Sequence, residues 1–443
     1  MIGAVMEDKQ FPKVMVVCSD PWRDDTGNDT IPNLFAEWDP ERIAVVYTKA
    51  SLPETDACHR FFQISENAVV HTALHPGAKC GQEVPHRSGE KKESAGAAEE
   101  KKRYGFFRNH RWKIFYFARD LLWAMGSWKS KELNDFVDSF KPEVIFFPIY
   151  PYIYLNRIQS YIAKRAGVRG IAYNADDNYS YRPEWYNPLF LLQRFFLKRS
   201  IDDIMQYCDE LLVIAPKLVD EYRDVFGVPV QVLTKGIPVD EKAVFEPSAH
   251  NRPLKMVYTG NLYIGRDKTV AKIVKALKEI NREETKIQLF MYSQIPLTKK
   301  QEKELTAEGT SYFMGGIPTT QVADVQKEAD IVLFAEALDV LNRNKARLSF
   351  STKLTDYFRS GKCIFAAGPR DIAPIDYLIR NDCALTACSE EEIREQLERI
   401  AEHPEILDEY GRRAFEIGRD KHNDRKMKDI LLDALKAAAG NRR

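Results

Sequence analysis

Two stretches of this 443-residue sequence combine glycine, hydroxyl and cationic residues in a spacing that suits a phosphate. In Tyr258–Thr269 (YTGNLYIGRDKT), Gly260 and Asn261 follow an apolar run and precede a segment whose Val270, Ile273, Val274, Leu277 and Ile280 fall at helical spacing. A small-residue turn at the carboxyl end of a strand lets backbone N–H groups approach a phosphate, and Arg266 and Lys268 stand where they add positive charge. The same order of strand, glycine and helix occurs in any doubly wound domain, so these residues alone do not decide. In Ser349–Pro369 (SFSTKLTDYFRSGKCIFAAGP), Ser351, Thr352 and Lys353 open a helix that carries Asp356 and Tyr357, ends at Gly361 and feeds the run Cys363–Ala367. Free N–H groups at such a helix start suit a diphosphate, with Lys353 as a point charge and Asp356 one turn on to accept from hydroxyls. The alternative is an N-capped helix with one exposed acid.

In the first half, CSDPWRDDTGNDT (Cys18–Thr30) sets Gly27 and Asn28 after an apolar run, as a cleft loop or a surface turn. Asp176 and Asp177 follow the run Gly170–Asn174 and stand either at a reacting group or as solvated, capping acids. His71 and His75 have the four-residue spacing of a helical metal pair but lack the glutamate of H-E-x-x-H, and Pro76 follows at once. Seven cysteines, an odd number without C-x-x-C spacing, read as reduced thiols and signal no cysteine-based zinc site.

The elements that must position these residues are short β-branched runs separated by helix-length amphipathic stretches. Lys13–Cys18, Ile43–Thr48, Glu143–Pro148, Gly170–Asn174 and Glu210–Ala215 form one series. Leu254–Thr259, Lys286–Tyr292, Ser311–Gly315, Asp330–Ala335 and Cys363–Ala367 form a second. Strand alternating with helix predicts an α/β fold with two parallel, doubly wound sheets. A length of 443 residues suits two domains of about 200 residues each. Pro238, Pro247 and Pro253 mark the polar link between them, near residues 236 to 252. Residues 83–105 have almost no large apolar side chain and read as a flexible loop. Lys plus Arg equals Asp plus Glu at 65 each, so no global charge points to nucleic acid. The amino-terminal residues lack a signal-peptide pattern and no run approaches a membrane span, so the expected location is cytoplasmic.

STKLTDYFRSGKCIFAAG resembles the donor-binding segment of retaining GT-B glycosyltransferases, a family that includes sucrose synthase and many bacterial capsule and lipopolysaccharide enzymes. YTGNLYIGRD resembles the same family's glycine loop, and Leu211–Asp240 its interdomain crossing. The resemblance implies two Rossmann-like domains facing across a cleft. Residues 1–235 would bind the acceptor, 236–418 a nucleotide sugar, and 419–443 would cross back to the first domain. It implies a metal-independent transferase with no cofactor beyond that co-substrate, acting on a glycan or lipid-linked acceptor in polysaccharide or glycoconjugate synthesis. Gly260, Asn261, Arg266, Lys268, Ser351, Thr352, Lys353 and Asp356 would hold the donor, with Arg266 acting on its diphosphate and Asp356 on the ribose hydroxyls. Asp176 and Asp177 fall where relatives carry a histidine or acid at the reacting sugar, and Gly27 and Asn28 where they carry a glycine loop. The family's pair of glutamates, eight positions apart, departs here: the second site is Asp356 and the first is Leu348, with Glu336 and Asp339 as candidate substitutes. That gap leaves a catalytically silent domain partnering an active transferase as one alternative. A sugar-nucleotide epimerase and a two-domain ligand-binding protein are others.

Two aromatic-basic stretches remain. Phe106–Ser130 reads either as core or as a peripheral contact with the inner face of a membrane, whereas Trp185–Arg199 reads as core.

Overall fold

A computed structural model describes residues 11–24, 30–75, 77–87, 114–238, 243–247 and 249–441. Gly27 and Asn28, and residues 88–113 with most of the polar loop and the start of the first aromatic-basic stretch, lie outside them.

A strand covered by helices on both faces buries every side chain, which is why the β-branched runs fold as strands. The strands β1 (Val14–Cys18), β2 (Ile43–Tyr47), β5 (Val144–Pro148) and β6 (Gly170–Asn174) are buried throughout. With β3 (Arg60–Gln63), β4 (Gln82–Val84), β7 (Cys208–Val213) and β8 (Val230–Val232) they form one sheet in the order β4-β3-β2-β1-β5-β6-β7-β8. Its pairs are parallel except β3 with β4. Glu83 therefore lies in an edge strand, and the polar loop starts later than its composition suggested. A second, wholly parallel sheet runs β11 (Ser311–Gly315), β10 (Ile287–Tyr292), β9 (Leu254–Thr259), β12 (Ile331–Ala335), β13 (Cys363–Ala367), β14 (Leu385–Ala387).

Each sheet reverses its winding once, between β1 and β5 and between β9 and β12. Loops leaving the two strands at such a point part in opposite directions and open a crevice at the carboxyl ends of the strands. The last helix, Asp424–Gly440, returns to the first sheet, where Met427, Leu431, Leu432 and Leu435 join its core. Ile237 and Asn423 pair as a bridge beside this second crossing, with Ile237 N donating to His422 O at 2.8 Å. His422 itself is buried against Phe350 and Phe358, and burial lowers its pKa to about 4.

The helix Pro188–Met205 corrects the reading of Trp185–Arg199 as core. Phe190, Leu197, Ile201 and Ile204 are buried, but Trp185, Tyr186, Leu189, Leu192, Phe195 and Phe196 are exposed. The reason lies in the two polar residues that turn inward instead. Gln193 and Arg194 are buried, and Arg194 Nη1 donates to the carbonyl of Asp177 at 3.0 Å. Apolar side chains run round this helix, so spacing alone does not select the buried face. In the helix Ile114–Met125, Trp123 is buried while Leu121, Leu122 and Met125 are exposed. Among the described residues no helix is long and apolar enough to cross a membrane.

Candidate functional site

The second crevice is built from loops that leave β9, β12 and β13. After β9 the chain turns at Gly260, whose φ of +139° disfavours a side chain, and a Cβ there would lie 1.7 Å from Lys353 Nζ. Glycine at this position thus lets the lysine pass directly over the turn. Its ammonium stands 5.4 Å from the centre of the Tyr258 ring. Burial, reinforced by the charge of Arg266, lowers the Lys353 pKa to about 8, against the opposing pull of Glu336.

Arg266 opens the helix Arg266–Ile280 and grips Glu336 bidentately, Nε to Oε2 at 3.0 Å and Nη2 to Oε1 at 2.8 Å. Glu336 is held in turn through its backbone. Its N–H donates to Ala367 O at 2.9 Å, and Thr269 Oγ1 donates to its carbonyl at 2.8 Å. Two cations and one carboxylate therefore converge where three strand ends meet, a charge excess that favours an anion.

The other donor candidates surround this cluster less closely. The hydroxyl of Tyr258 donates to the Asn261 carbonyl at 2.9 Å, fixing the turn after Gly260. Lys268 is exposed and close enough to Asp339 for their charges to interact. Ser351 and Thr352 precede the helix Lys353–Ser360, whose start has no side-chain cap. The helix ends on Gly361 at φ +64°. Asp356, in its first turn, faces Lys235 Nζ at 3.6 Å. Leu348 is fully buried, and the acid beside Arg266 is Glu336. Asp339 instead caps the helix Val340–Ala346, accepting from Asn342 N at 3.1 Å.

Opposite this cluster, the loop after β6 brings Asp176 and Asp177 to the boundary of the two domains. Asp176 Oδ1 accepts from Ser349 Oγ of the second domain at 2.5 Å. Solvent in the cleft reaches Asp176, yet the two domains crowd it; this burial raises its pKa, the Ser349 hydrogen bond opposing and Asp177 adding to the shift. Asp177 has a different place. It is buried and accepts from Ser180 N at 2.9 Å and Ser180 Oγ at 2.5 Å, which shapes the loop. Arg347, also buried, reaches across to Glu221 at 2.8 Å and to Asp177 at 4.0 Å.

Between these elements lies a pocket of about 310 Å³, whose lining includes Tyr152, Asp176, Glu184, Gln193, Lys345 and Ser349. Ser349 and Lys353 are four positions apart, so the Cα atoms of the residues that link pocket and cationic cluster are at most about 14 Å apart. The structure thus gathers Gly260, Arg266 and Lys353 on one side and Asp176 and Asp177 on the other. It sets Lys268 and Asp356 at the margin.

Ser349, Arg347 and Arg194 were not singled out from sequence for the domain boundary. Arg347 lies in a stretch with no recognisable pattern, and nothing in its spacing marks it as a cross-domain residue. The paired histidines stack with ring centres 4.5 Å apart at the end of the helix Glu66–Leu74. No cluster of three or more metal-ligating side chains occurs among the described residues.

No protein-family model and no curated protein sequence matches the chain. Solved structures do. Sucrose-phosphate synthase from Thermosynechococcus elongatus superposes with a TM-score of 0.59 at 11% identity, over 96% of this chain and 98% of that one. HepE of Anabaena in complex with UDP and glucose gives 0.57 at 8% identity, over 96% and 100%. An α,α-trehalose-phosphate synthase (UDP-forming) from Burkholderia xenovorans, in complex with glucose-6-phosphate, gives 0.56 at 12% identity, over 96% and 100%. At these identities the likeness is one of fold, and the chain has the two-domain GT-B fold.

Proposed function

We propose that the protein is a glycosyltransferase that moves a sugar from a nucleoside diphosphate sugar to a glycan or lipid-linked acceptor. The reaction proceeds with retention, in cell-envelope polysaccharide or glycoconjugate synthesis. The observation that carries the reading is Lys353 lying over Gly260, close to the Arg266–Glu336 pair, at the second crevice and across the domain boundary from Asp176. Two structures of the same fold hold ligands of this class, UDP with glucose in one and glucose-6-phosphate in the other.

Residues 236–418 hold the donor, residues 1–235 the acceptor, and residues 419–443 tie the two together. Lys353 and Arg266 take the diphosphate, with Lys268, Ser351, Thr352 and the amides near Gly260 and Asn261 around them. Asp356 accepts from the ribose hydroxyls. In transfer, the bond between the anomeric carbon and the leaving phosphate oxygen breaks, and its electron pair stays on that oxygen. The acceptor oxygen bonds to the same face of the carbon while its proton passes to the leaving phosphate. The two cations stabilise the charge that grows there, so no metal is required. Asp176 stands on the acceptor side as the acid nearest the reacting sugar, and Asp177 holds its loop. Gly27 and Asn28 complete the cleft. The enzyme works in the cytoplasm, with residues 106–130 touching the membrane peripherally.

Calorimetric titration with UDP, GDP, ADP and dTDP, followed by turnover assays with the matching sugar nucleotides, tests the reading. One diphosphate should bind and its sugar nucleotide should be consumed; if none binds, the transferase reading fails. A second reading is a catalytically silent partner of an active transferase. It is favoured by the buried Leu348 and by the hold of Glu336 on Arg266, and binding without turnover supports it.

A further inference from the structure

Six large apolar side chains on one helix and its approach remain in solvent: Trp185, Tyr186, Leu189, Leu192, Phe195 and Phe196. Trp185, the first of them, is 62% exposed. Leu189, Leu192 and Phe196 follow one another at intervals of three and four on the helix and so form a stripe, with Trp185 and Tyr186 exposed in the turn that leads into it. Helix Ile114–Met125 packs in the same layer, against Pro188–Met205, and adds exposed Leu121, Leu122 and Met125. A monomeric soluble protein rarely leaves so many neighbouring apolar groups in water without an occupant for them.

We propose that this face docks on an anionic lipid bilayer and presents the domain-boundary pocket to an acceptor anchored in that bilayer. Charge supports the choice of occupant. From Trp185 to Ile201 the sequence has no acid, while Arg182 and Arg199 are exposed and Lys198 is half-buried beside the stripe. The acids at its ends are Glu184, which lines the pocket, and Asp202 and Asp203. An apolar strip edged by cations matches an anionic membrane surface, where the cations meet headgroups and the apolar groups enter the acyl boundary. Trp185 and Tyr186, rings with a polar atom, suit that boundary further. A two-fold contact between copies of the chain would instead set one basic edge near the other.

The position of the stripe gives it a consequence for the reaction. Glu184, Phe190, Gln193 and Arg194 line the pocket from the inward side of the same segment whose outward side is the stripe. A bilayer under Trp185 and Leu189 therefore lies one helix thickness from the pocket, about 10 Å. The acceptor class that fits is an amphiphile, with a polar head that enters the pocket and an apolar tail that stays in the membrane. This rests on the transferase reading for the pocket but goes beyond it in naming the surface, and membrane binding is measured without any donor.

Flotation of the full chain with phosphatidylcholine vesicles and with phosphatidylcholine–phosphatidylglycerol vesicles is the test. The wild type should float with the anionic vesicles, and the bound fraction should fall as salt is raised. The triple variant Trp185→Ser/Leu192→Ser/Phe196→Ser, altered only at exposed positions, should bind roughly ten-fold or more weakly. Its nucleotide affinity and melting temperature should stay at the wild-type values. Failure of the wild type to float with the anionic vesicles overturns the proposal, as does flotation of the triple variant equal to the wild type. A wild-type dimer that the triple variant dissolves, with no vesicle binding by either, overturns it in favour of a second copy as the occupant.

Discussion

The two crevices of this molecule share a topology and differ in almost everything that lines them. At the first, between β1 and β5, the bridging group is neutral: Gln159 Nε2 donates to Val17 O at 2.8 Å and to Pro148 O at 2.9 Å. Asp20 and Lys49 pair with each other in the loops nearby. At the second, between β9 and β12, Arg266 and Lys353 gather round a single carboxylate. Winding alone makes an opening, and the side chains at its rim decide what enters. One rim carries an excess of positive charge; at the other the nearest charges pair with each other and the bridging group is an amide.

That contrast can be broken most forcefully at Arg266. Arg266→Met leaves the buried Glu336 carboxylate without its partner, and removing one member of such a pair costs about 3–5 kcal/mol of stability. The loss should appear as a lower denaturant midpoint, and Arg266→Met/Glu336→Leu should recover much of it. Next in size is Lys353→Met, which spares the fold but removes a charged contact to the diphosphate worth about 1.5–3 kcal/mol, or roughly ten- to a hundred-fold in affinity. Titration of the variant with the nucleotide that binds the wild type reads this directly.

A pH series sharpens the same point. In the free protein Lys353 loses its proton around its pKa of about 8, whereas a bound diphosphate holds the proton on. Affinity should therefore fall as pH rises through that value, with proton uptake on binding visible in buffers of different ionisation enthalpy. Lys353→Met should flatten the profile. The smallest effect belongs to the side of the first domain. Ser349→Ala removes a hydrogen bond worth about 1 kcal/mol, which should shift the acid limb of the pH–rate profile upward because Ser349 stabilises ionised Asp176.

Most strands of both sheets were legible because parallel strands covered on both faces need unbroken β-branched runs. Arg60–Gln63 and Gln82–Val84 were not, since they are short and carry charged or amide side chains, the second at the edge of the sheet and the first beside it. Leu385–Ala387, at the opposite edge of the second sheet, is only three residues long. Local chemistry also made Gly260, Arg266 and Lys353 visible, as a turn followed by cations. What the sequence could not display was partnership across the fold. The meeting of Arg266 with Glu336 spans seventy residues, and that of Ser349 with Asp176 spans 173. The buried face of the helix Pro188–Met205 is hidden from the sequence for a related reason: the burial of Arg194 depends on a carbonyl supplied by a different loop.

The return of the last helix to the first sheet bears on how the protein is made. The groove in the first core that takes Met427, Leu431 and Leu435 stays open until the helix Asp424–Gly440 has been made. The first sheet, though translated first, is thus completed only after the second has been made. A chain cut before Asp424 should keep an exposed apolar face on that sheet and be a substrate for chaperones or proteases.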